Sequence, residues 1–274
     1  MSTLTTVASA AGLEHEVVAW DDPSVDWARF ACCVVRSTWN YHDDRAAFLG
    51  WCARVDRVSR LENSRDLLTW NTDKHYLKEA ASFGLPVVPT TFVGPDESPG
   101  DWRGVVASLL AAGDVVVKPA VSAGSNDTER HRQVDSAVVQ IEDLLRRGKS
   151  VMLQPYLAEV DAHGETGLVF VDGRFSHAFG KGAILADVKT MTGDLYAEED
   201  ISVRSADEAQ LRIGERAMEW LTRRFGTPLY ARVDLLPSAA GPVIIELELT
   251  EPSLYLSLGD AAAERLVTAV RSRL

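Results

Sequence analysis

The chain has 274 residues, 46% of them hydrophobic and 25% charged, an ordinary globular composition that excludes collagen-like, disordered and membrane-spanning classes. Its net charge of -12, from 28 basic against 40 acidic residues, speaks against a nucleic-acid partner, because phosphate backbones reward a basic surface; a local cluster of cations in one cleft can still hold a small anion. Met1 to Ala11 lacks the basic and apolar regions of a leader peptide, so the sequence predicts a cytoplasmic protein with no membrane partner.

At this length two or three small lobes are expected, each with its own core. Cys32, Cys33 and Cys52 cannot all pair and have no ligand spacing with the histidines, so they read as small buried hydrophobes.

In chain order, residues 2–11 read as helix, His15 to Ala19 as a short strand and Ala31 to Val35 as a buried one, followed by the polar turn Arg36 to Asn40. This resembles the start of an open α/β lobe, except that such a lobe begins with a strand; the expectation is that its first strand is missing. A helix follows over about Asp43 to Val55, and Thr72 is expected to N-cap another running to Phe83, stopped by Gly84. Strands are predicted over Val88 to Phe92, Val115 to Val117 and Val151 to Gln154, and helices over Trp102 to Ala112 and Ser136 to Arg147. Pro119 after Lys118 prevents continuation into helix, and a small-residue loop spans Ala120 to Asn126. Asp172-Gly173, between strands Gly167 to Val171 and Arg174 to Ala178, is the chain's strongest hairpin signal. Ala186 to Asp200 has no periodicity and reads as a lid or binding loop. A helix over Ala206 to Arg224, strands over Leu229 to Leu236 and Val243 to Leu249, and a helix over Ser253 to Arg273 complete the pattern.

The chemistry-bearing residues cluster at strand ends. Lys74, Lys118, Lys181 and Arg232 lie beside strands, and the Ser122-Ala123-Gly124-Ser125 loop can bring backbone N–H groups close to phosphate oxygens. Asp234 lies on one late strand, and Glu246 and Glu248, two residues apart, share one face of the next. Three carboxylates on an apolar sheet suit a divalent cation with oxygen ligation, Mg2+ or Mn2+. Exposed strand charges, or pairing with Arg232 and Lys181, is the alternative. The segment Gln154, Tyr156, Leu157 offers an apolar slot for adenine, with Glu159 and Asp161 as candidate ribose carboxylates. There is no Walker-type phosphate loop, no dinucleotide fingerprint and no Gly-x-Ser-x-Gly elbow.

Taken in order, Lys74, Lys118-Pro119, the Ser122 to Ser125 loop, the Gln154 to Leu157 segment and the late Asp234, Glu246, Glu248 set resemble the ATP-grasp superfamily, from about Trp20 to the C-terminus. Many members carry asparagine where this chain has Glu248. The resemblance implies a mixed α/β (α+β) fold of three lobes, here residues 1–72 for substrate, 73–153 central and 154–274 C-terminal with the metal site, with ATP held between the last two. It implies ATP and Mg2+ as cofactors. Lys74, Lys118, Ser122, Gly124, Ser125, Gln154, Tyr156, Leu157, Glu159 and Asp161 would bind nucleotide, and Lys181 and Arg232 would act in catalysis. Closure of the Ala120 to Gln133 and Ala186 to Asp200 loops would exclude water.

The words Arg36-Ser-Thr-Trp39-Asn-Tyr41, Trp70-Asn71-Thr-Asp-Lys74 and Glu246-Leu-Glu-Leu-Thr-Glu251-Pro-Ser253 resemble a narrower group, the cyclo-ligases of D-cycloserine biosynthesis that act on O-ureido-D-serine. That likeness implies a small amino-acid-like substrate, with Arg36 and Ser37 holding it and Glu251, Ser253 and Tyr255 completing its pocket; a homodimer is compatible with the sequence. A two-substrate amino-acid or peptide ligase and a catalytically silent nucleotide-binding protein are the competing readings.

Overall fold

A computed structural model describes residues 2–95, 102–183, 185 and 200–274. The first helix, α1 (Ser2–Ala10), buries Ala8 and sends Leu4 into the core beneath the chain's last helix. His15 to Ala19 is irregular rather than the expected strand. Val17 is exposed, and among the described residues no neighbouring strand pairs with this segment, so apolar alternation alone does not make it a strand. Strand β1 (Cys32–Val34), helix α2 (Arg45–Val55) and strand β2 (Arg60–Glu62) follow, with β1 and β2 parallel and Cys33 opposite Leu61. Asp44 caps α2 by accepting from the Ala47 N–H. Phe48, Trp51 and Cys52 of α2 pack with Trp20 and Trp27 into a separate aromatic core. The cysteines are unpaired, and burial pushes the Cys52 thiol up to about 12, so it is an inert hydrophobe.

Helix α3 (Arg65–Asn71) is unforeseen by the sequence reading, and it corrects the role of Thr72, which ends α3 rather than opening the next helix. Its hydroxyl donates to the Thr69 carbonyl at 3.0 Å and accepts from Arg45 at 2.9 Å. Helix α4 (Tyr76–Ser82) stops before Gly84, which takes φ +90°.

Strand β3 (Thr91–Val93), helix α5 (Trp102–Leu110), strands β4 (Val115–Pro119) and β5 (Glu129–His131), helix α6 (Val134–Arg146) and strand β6 (Val151–Pro155) form one unit, an antiparallel sheet ordered β3-β6-β4-β5. The strand period of two divides its faces. Val115, Val117, Val151 and Leu153 meet Val106, Ile141 and Leu144 of the helices, while Val116, Lys118 and Gln154 face a cleft.

After the short helix α7 (Glu159–His163), strands β7 (Glu165–Val171), β8 (Arg174–Lys181) and β9 (Ile201–Arg204) precede the long helix α8 (Glu208–Phe225), strands β10 (Tyr230–Leu236) and β11 (Val243–Glu248) and helix α9 (Ala262–Arg271). The second sheet is antiparallel in the order β11-β10-β7-β8-β9. Asp172 (φ +49°) and Gly173 (φ +74°) make the tight β7–β8 turn. An Asp207–Gln210 capping box starts α8. On β10, Ala231, Val233 and Leu235 join the core under α8, whereas Arg232 and Asp234 face the cleft. The last helix begins at Ala262 and not at Ser253, because residues 253–261 form an irregular segment with a short 3-10 turn at Leu256–Leu258. Of the expected lid at 186–200, only Asp200 is among the described residues; its carbonyl accepts from the Gly182 N–H at 2.9 Å. No helix of the described residues is long and apolar enough to cross a membrane.

Candidate active site

The two large sheets face each other across a cavity of about 440 Å3. One wall comes from β4, β6 and the loop after β4. Lys118 reaches it because it follows Val117 on β4, and Gln154 because it follows Leu153 on β6; Ser122, Gly124 and Ser125 close the rim, and Tyr156 and Leu157 continue the wall past the end of β6. The opposite wall holds Lys181 of β8, Arg232 and Asp234 of β10, and Glu246 and Glu248 of β11, with Glu251 and Ser253 just beyond. Lys74, between α3 and α4, lines the cavity from the side; its ammonium donates to the Ser122 carbonyl at 2.8 Å and lies 3.0 Å from Glu246.

Cross-strand register sets the electrostatics of the second wall. Arg232 lies opposite Glu248 and Asp234 opposite Glu246. Arg232 donates from Nε at 2.8 Å and from Nη2 at 2.6 Å to the Asp234 carboxylate, also to Glu248, and from Nη1 to the Ser253 carbonyl at 3.0 Å. Burial opposes the charge of Arg232, but Asp234 and Glu248 outweigh it and hold the guanidinium protonated. Asp234 is also buried, yet Arg232 and Lys181 hold it below the usual carboxylate range. Glu248 is raised well above that range by burial together with the neighbouring carboxylates, against the pull of Arg232. Lys118 behaves oppositely to its fellow cations: burial lowers it to about 8, and among the described residues it makes no ion pair or hydrogen bond. A buried ammonium without a fixed partner is what an incoming anion would complete.

Asp234, Glu246 and Glu248 offer hard oxygen donors from adjacent strands, the donor chemistry a divalent ion of magnesium type requires. Here each is engaged by a cation, and no group of three His, Cys, Asp or Glu side chains among the described residues is arranged as a metal cluster. The set fits a metal chemically through its donor type, three carboxylates lining one wall of the cavity.

Four candidates from the sequence do not line the cavity. Glu159 and Asp161 sit on α7 beyond its edge; Asp161 accepts from the Tyr156 hydroxyl, and the Arg130 guanidinium stacks on the other side of that residue, 3.5 Å from its ring centre. Nearness along the chain places both by the slot, but the α7 turn carries them outward. Glu165, the first residue of β7, supplies the carboxylate that does line the cavity. It faces Lys181 at 3.0 Å, its carboxyl reaches Asp234, and burial raises it to about 7. A carboxylate two residues before the buried Gly167, opening the hairpin strand that ends at Asp172-Gly173, is the sequence signal that would have found it. Arg36 and Ser37 are not among the residues that line the cavity. The Nε and Nη1 atoms of Arg36 are buried without a partner, its guanidinium lies 5.6 Å from the centre of the Tyr230 ring, and burial lowers its basicity.

Side chains from the first 72 residues reach this site, among them Trp39, Asn63 and Asn71. Trp39, which lines the cavity, donates from its indole to the Glu251 carbonyl at 3.0 Å. Asn71 donates to the Leu247 carbonyl at 2.7 Å and accepts from the Leu249 N–H at 2.8 Å and the Thr250 hydroxyl at 3.1 Å. Asn63 donates to the Leu249 carbonyl at 2.7 Å and the Tyr230 carbonyl at 3.0 Å. Beyond Ser253, Tyr255 enters the cavity wall with φ +43°, braced by the His177 bond to the Leu254 carbonyl at 2.9 Å. Gly259 packs so closely on His177 that a Cβ there would fall 2.5 Å from the imidazole, so only glycine permits this approach.

Comparison with known proteins accords with this architecture. The family model described as D-cycloserine synthetase DcsG, N-terminal domain, matches residues 1–63. The cycloserine biosynthesis protein DcsG of Streptomyces lavendulae is 37% identical over 281 residues, covering 100% of this chain and 93% of that protein. The crystal structure of D-cycloserine synthetase DcsG superposes with a TM-score of 0.89 at 37% identity, covering 100% of this chain and 94% of that one. The D-alanine–D-alanine ligase of Bacillus anthracis complexed with ATP shares the fold at a TM-score of 0.60 and 16% identity, over 80% of this chain and 72% of that one. The chain therefore belongs to the D-cycloserine synthetase family of ATP-grasp ligases, enzymes that form carbon–nitrogen bonds at the expense of ATP.

Proposed function

We propose that this enzyme closes O-ureido-D-serine into D-cycloserine, using ATP and Mg2+. The observation that carries the reading is full-length likeness to a cycloserine synthetase combined with a cleft that sets phosphate-sized cationic groups opposite a carboxylate wall. In this reading residues 1–72 form the substrate lobe, and residues 73–153 and 154–274 hold the nucleotide between them.

A carboxylate oxygen of the substrate attacks the γ-phosphorus of ATP, the bond to the bridging oxygen breaks, and ADP leaves from an acyl phosphate. The oxyamine nitrogen of the same molecule then attacks the acyl carbon, phosphate departs, and water removes the carbamoyl group as CO2 and NH3. No protein nucleophile is needed; the chain positions the reactants and balances charge. Lys118, unpaired and buried, meets phosphate oxygens, and Lys74 fixes the Ser122 carbonyl so that the Ser122 to Ser125 backbone faces them. Arg232 and Lys181 stand where charge develops on the transferring group. Gln154, Tyr156 and Leu157 line the adenine end, with Glu165 as the ribose-facing carboxylate in place of Glu159 and Asp161. Asp234, Glu246 and Glu248 would hold Mg2+, which supplies neutralisation of β- and γ-phosphate charge. Arg36, with an unsatisfied guanidinium, and Ser37 remain candidates for the substrate's anionic end, and Glu251 and Ser253 for its pocket.

The test is release of ADP and phosphate with Mg-ATP and O-ureido-D-serine, with mass spectrometry of products and Asp234→Asn in parallel. A ring-closed, decarbamoylated product that Asp234→Asn does not form is expected. Turnover that yields an open, two-substrate amide would overturn the reading.

A further inference from the structure

The cleft's carboxylates are paired with one exception. Glu246 has Lys74 at 3.0 Å, Glu165 has Lys181 at 3.0 Å, and Asp234 and Glu248 share Arg232. Glu251 lines the same cavity, is only 7% exposed, and makes no ion pair among the described residues. The hydroxyl of Tyr41, which is itself 2% exposed, hydrogen-bonds with it. A phenol can support a carboxylate but cannot neutralise it.

The backbone that carries the carboxyl is fixed in place by groups from other parts of the fold. Trp39 holds the Glu251 carbonyl at 3.0 Å, the Tyr230 hydroxyl donates to the preceding Thr250 carbonyl at 3.1 Å, and the Thr250 hydroxyl donates to Asn71. Arg232 holds the Ser253 carbonyl on the other side. A residue anchored on both flanks, with its acid group inside a cavity, is built to meet something there. On the reading that the cavity accommodates an amino-acid substrate, whose carboxylate must lie near Arg232 and the transferring phosphate, the α-ammonium group next to that carboxylate falls on the Glu251 side.

We infer that Glu251, backed by Tyr41, receives the protonated α-amino group of the substrate and so selects amino acids over acids that lack the group. Burial raises the Glu251 carboxyl to about 8, with Lys74 pulling it down and Glu246 pushing it up, so the vacant site favours a neutral acid and an arriving ammonium restores the charge. The inference rests on the functional proposal above and adds to it the group that reads the substrate's amino end. Pairing also keeps that amine protonated, so that it does not compete with the oxyamine nitrogen for the acyl phosphate.

The experiment pairs two substrates with two enzymes: O-ureido-D-serine and its analogue with hydrogen in place of the amino group, each with wild type and Glu251→Gln, at saturating Mg-ATP. Wild type is expected to prefer the amino substrate by on the order of 10- to 100-fold in kcat/KM, the worth of one charge-assisted hydrogen bond. Glu251→Gln should lose most of that preference through a raised KM for the amino substrate, leaving the KM for ATP within about twofold and the analogue unaffected. Tyr41→Phe should shift the preference in the same direction by a smaller factor. If Glu251→Gln depresses both substrates equally, Glu251 acts on the nucleotide, metal or fold and the inference fails. If wild type turns over neither substrate, the cyclo-ligase reading fails first and the ammonium subsite falls with it.

Discussion

Removal of the Arg232 guanidinium exposes the energetic organisation of the site. In Arg232→Met the apolar stem is retained, but Asp234, 1% exposed, and Glu248 lose their shared cation and the Ser253 carbonyl loses a donor at 3.0 Å. Breaking one partner out of a buried ion pair costs roughly 3–5 kcal/mol because the remaining charge is uncompensated; Lys181, 3.8 Å from Asp234, offsets part of this, so the lower end, about 3 kcal/mol, is expected. If Asp234, Glu246 and Glu248 hold Mg2+, the ion should recover much of the loss, about 2.7 kcal/mol at a hundredfold excess over its dissociation constant. Urea denaturation of both proteins with and without Mg2+ measures both quantities, and steady-state ADP release should show kcat lower by about 10²–10³. A variant within about 1 kcal/mol of wild type would refute the pairing argument. Equal stabilisation of the two proteins by Mg2+ would refute the assignment of the ion to these carboxylates.

Three further outcomes are expected. Glu165 and Glu251 carry carboxyl groups raised by burial to about 7 and about 8; the folded state then binds more protons than the unfolded one above about pH 4.5, so the ligand-free enzyme loses stability as pH rises toward 8, and Glu251→Gln should gain on wild type in melting temperature as pH rises, by the widest margin at about pH 8.5 and the narrowest at about pH 4.5. Asn71→Ala strands the Leu249 N–H and leaves the Leu247 carbonyl with the Tyr76 hydroxyl at 3.0 Å, and should cost about 1–3 kcal/mol by urea denaturation; an unchanged stability would mean water replaces the amide. Asp127, which takes φ +56° and is bound by Arg147 at 2.7 Å and Lys149 at 2.6 Å, anchors the end of the loop that carries Gly124 and Ser125. Asp127→Ala should raise the KM for ATP about three- to tenfold while stability changes by under about 1 kcal/mol, the pairs being partly exposed; an unchanged KM would show that the loop needs no such anchor.

What the sequence made legible follows from what each signal depends on. Strand periodicity places alternate residues on opposite faces whatever the tertiary context, and so Lys118 beside Val117, Arg232 and Asp234 beside Val233, and Glu246 with Glu248 could be set on one side of their strands; the structure gathers all of them around one cavity. Asp172-Gly173 acts locally and gives the β7–β8 turn for the same reason. The failures lie where partners are distant in sequence. Strands β2, β5 and β9 are three or four residues long, too short for a period to register, and exist because β1, β4 and β8 offer them an edge. Glu159 and Asp161 stand close to Gln154, Tyr156 and Leu157 along the chain but are turned away by α7, whereas Glu165 reaches the cavity through its pairing opposite Lys181. The same logic applies to Tyr41, which the sequence offered only as part of a motif: its hydroxyl meets a carboxyl 210 positions later, with Trp39 bonded to Glu251 and Asn71 to Leu247 and Leu249. A cleft formed by charge pairs from separate elements is legible in sequence as a set of residue types on strand faces, but which cation serves which carboxylate, and which carboxylate is left unpaired, is decided by packing between elements that no local pattern encodes.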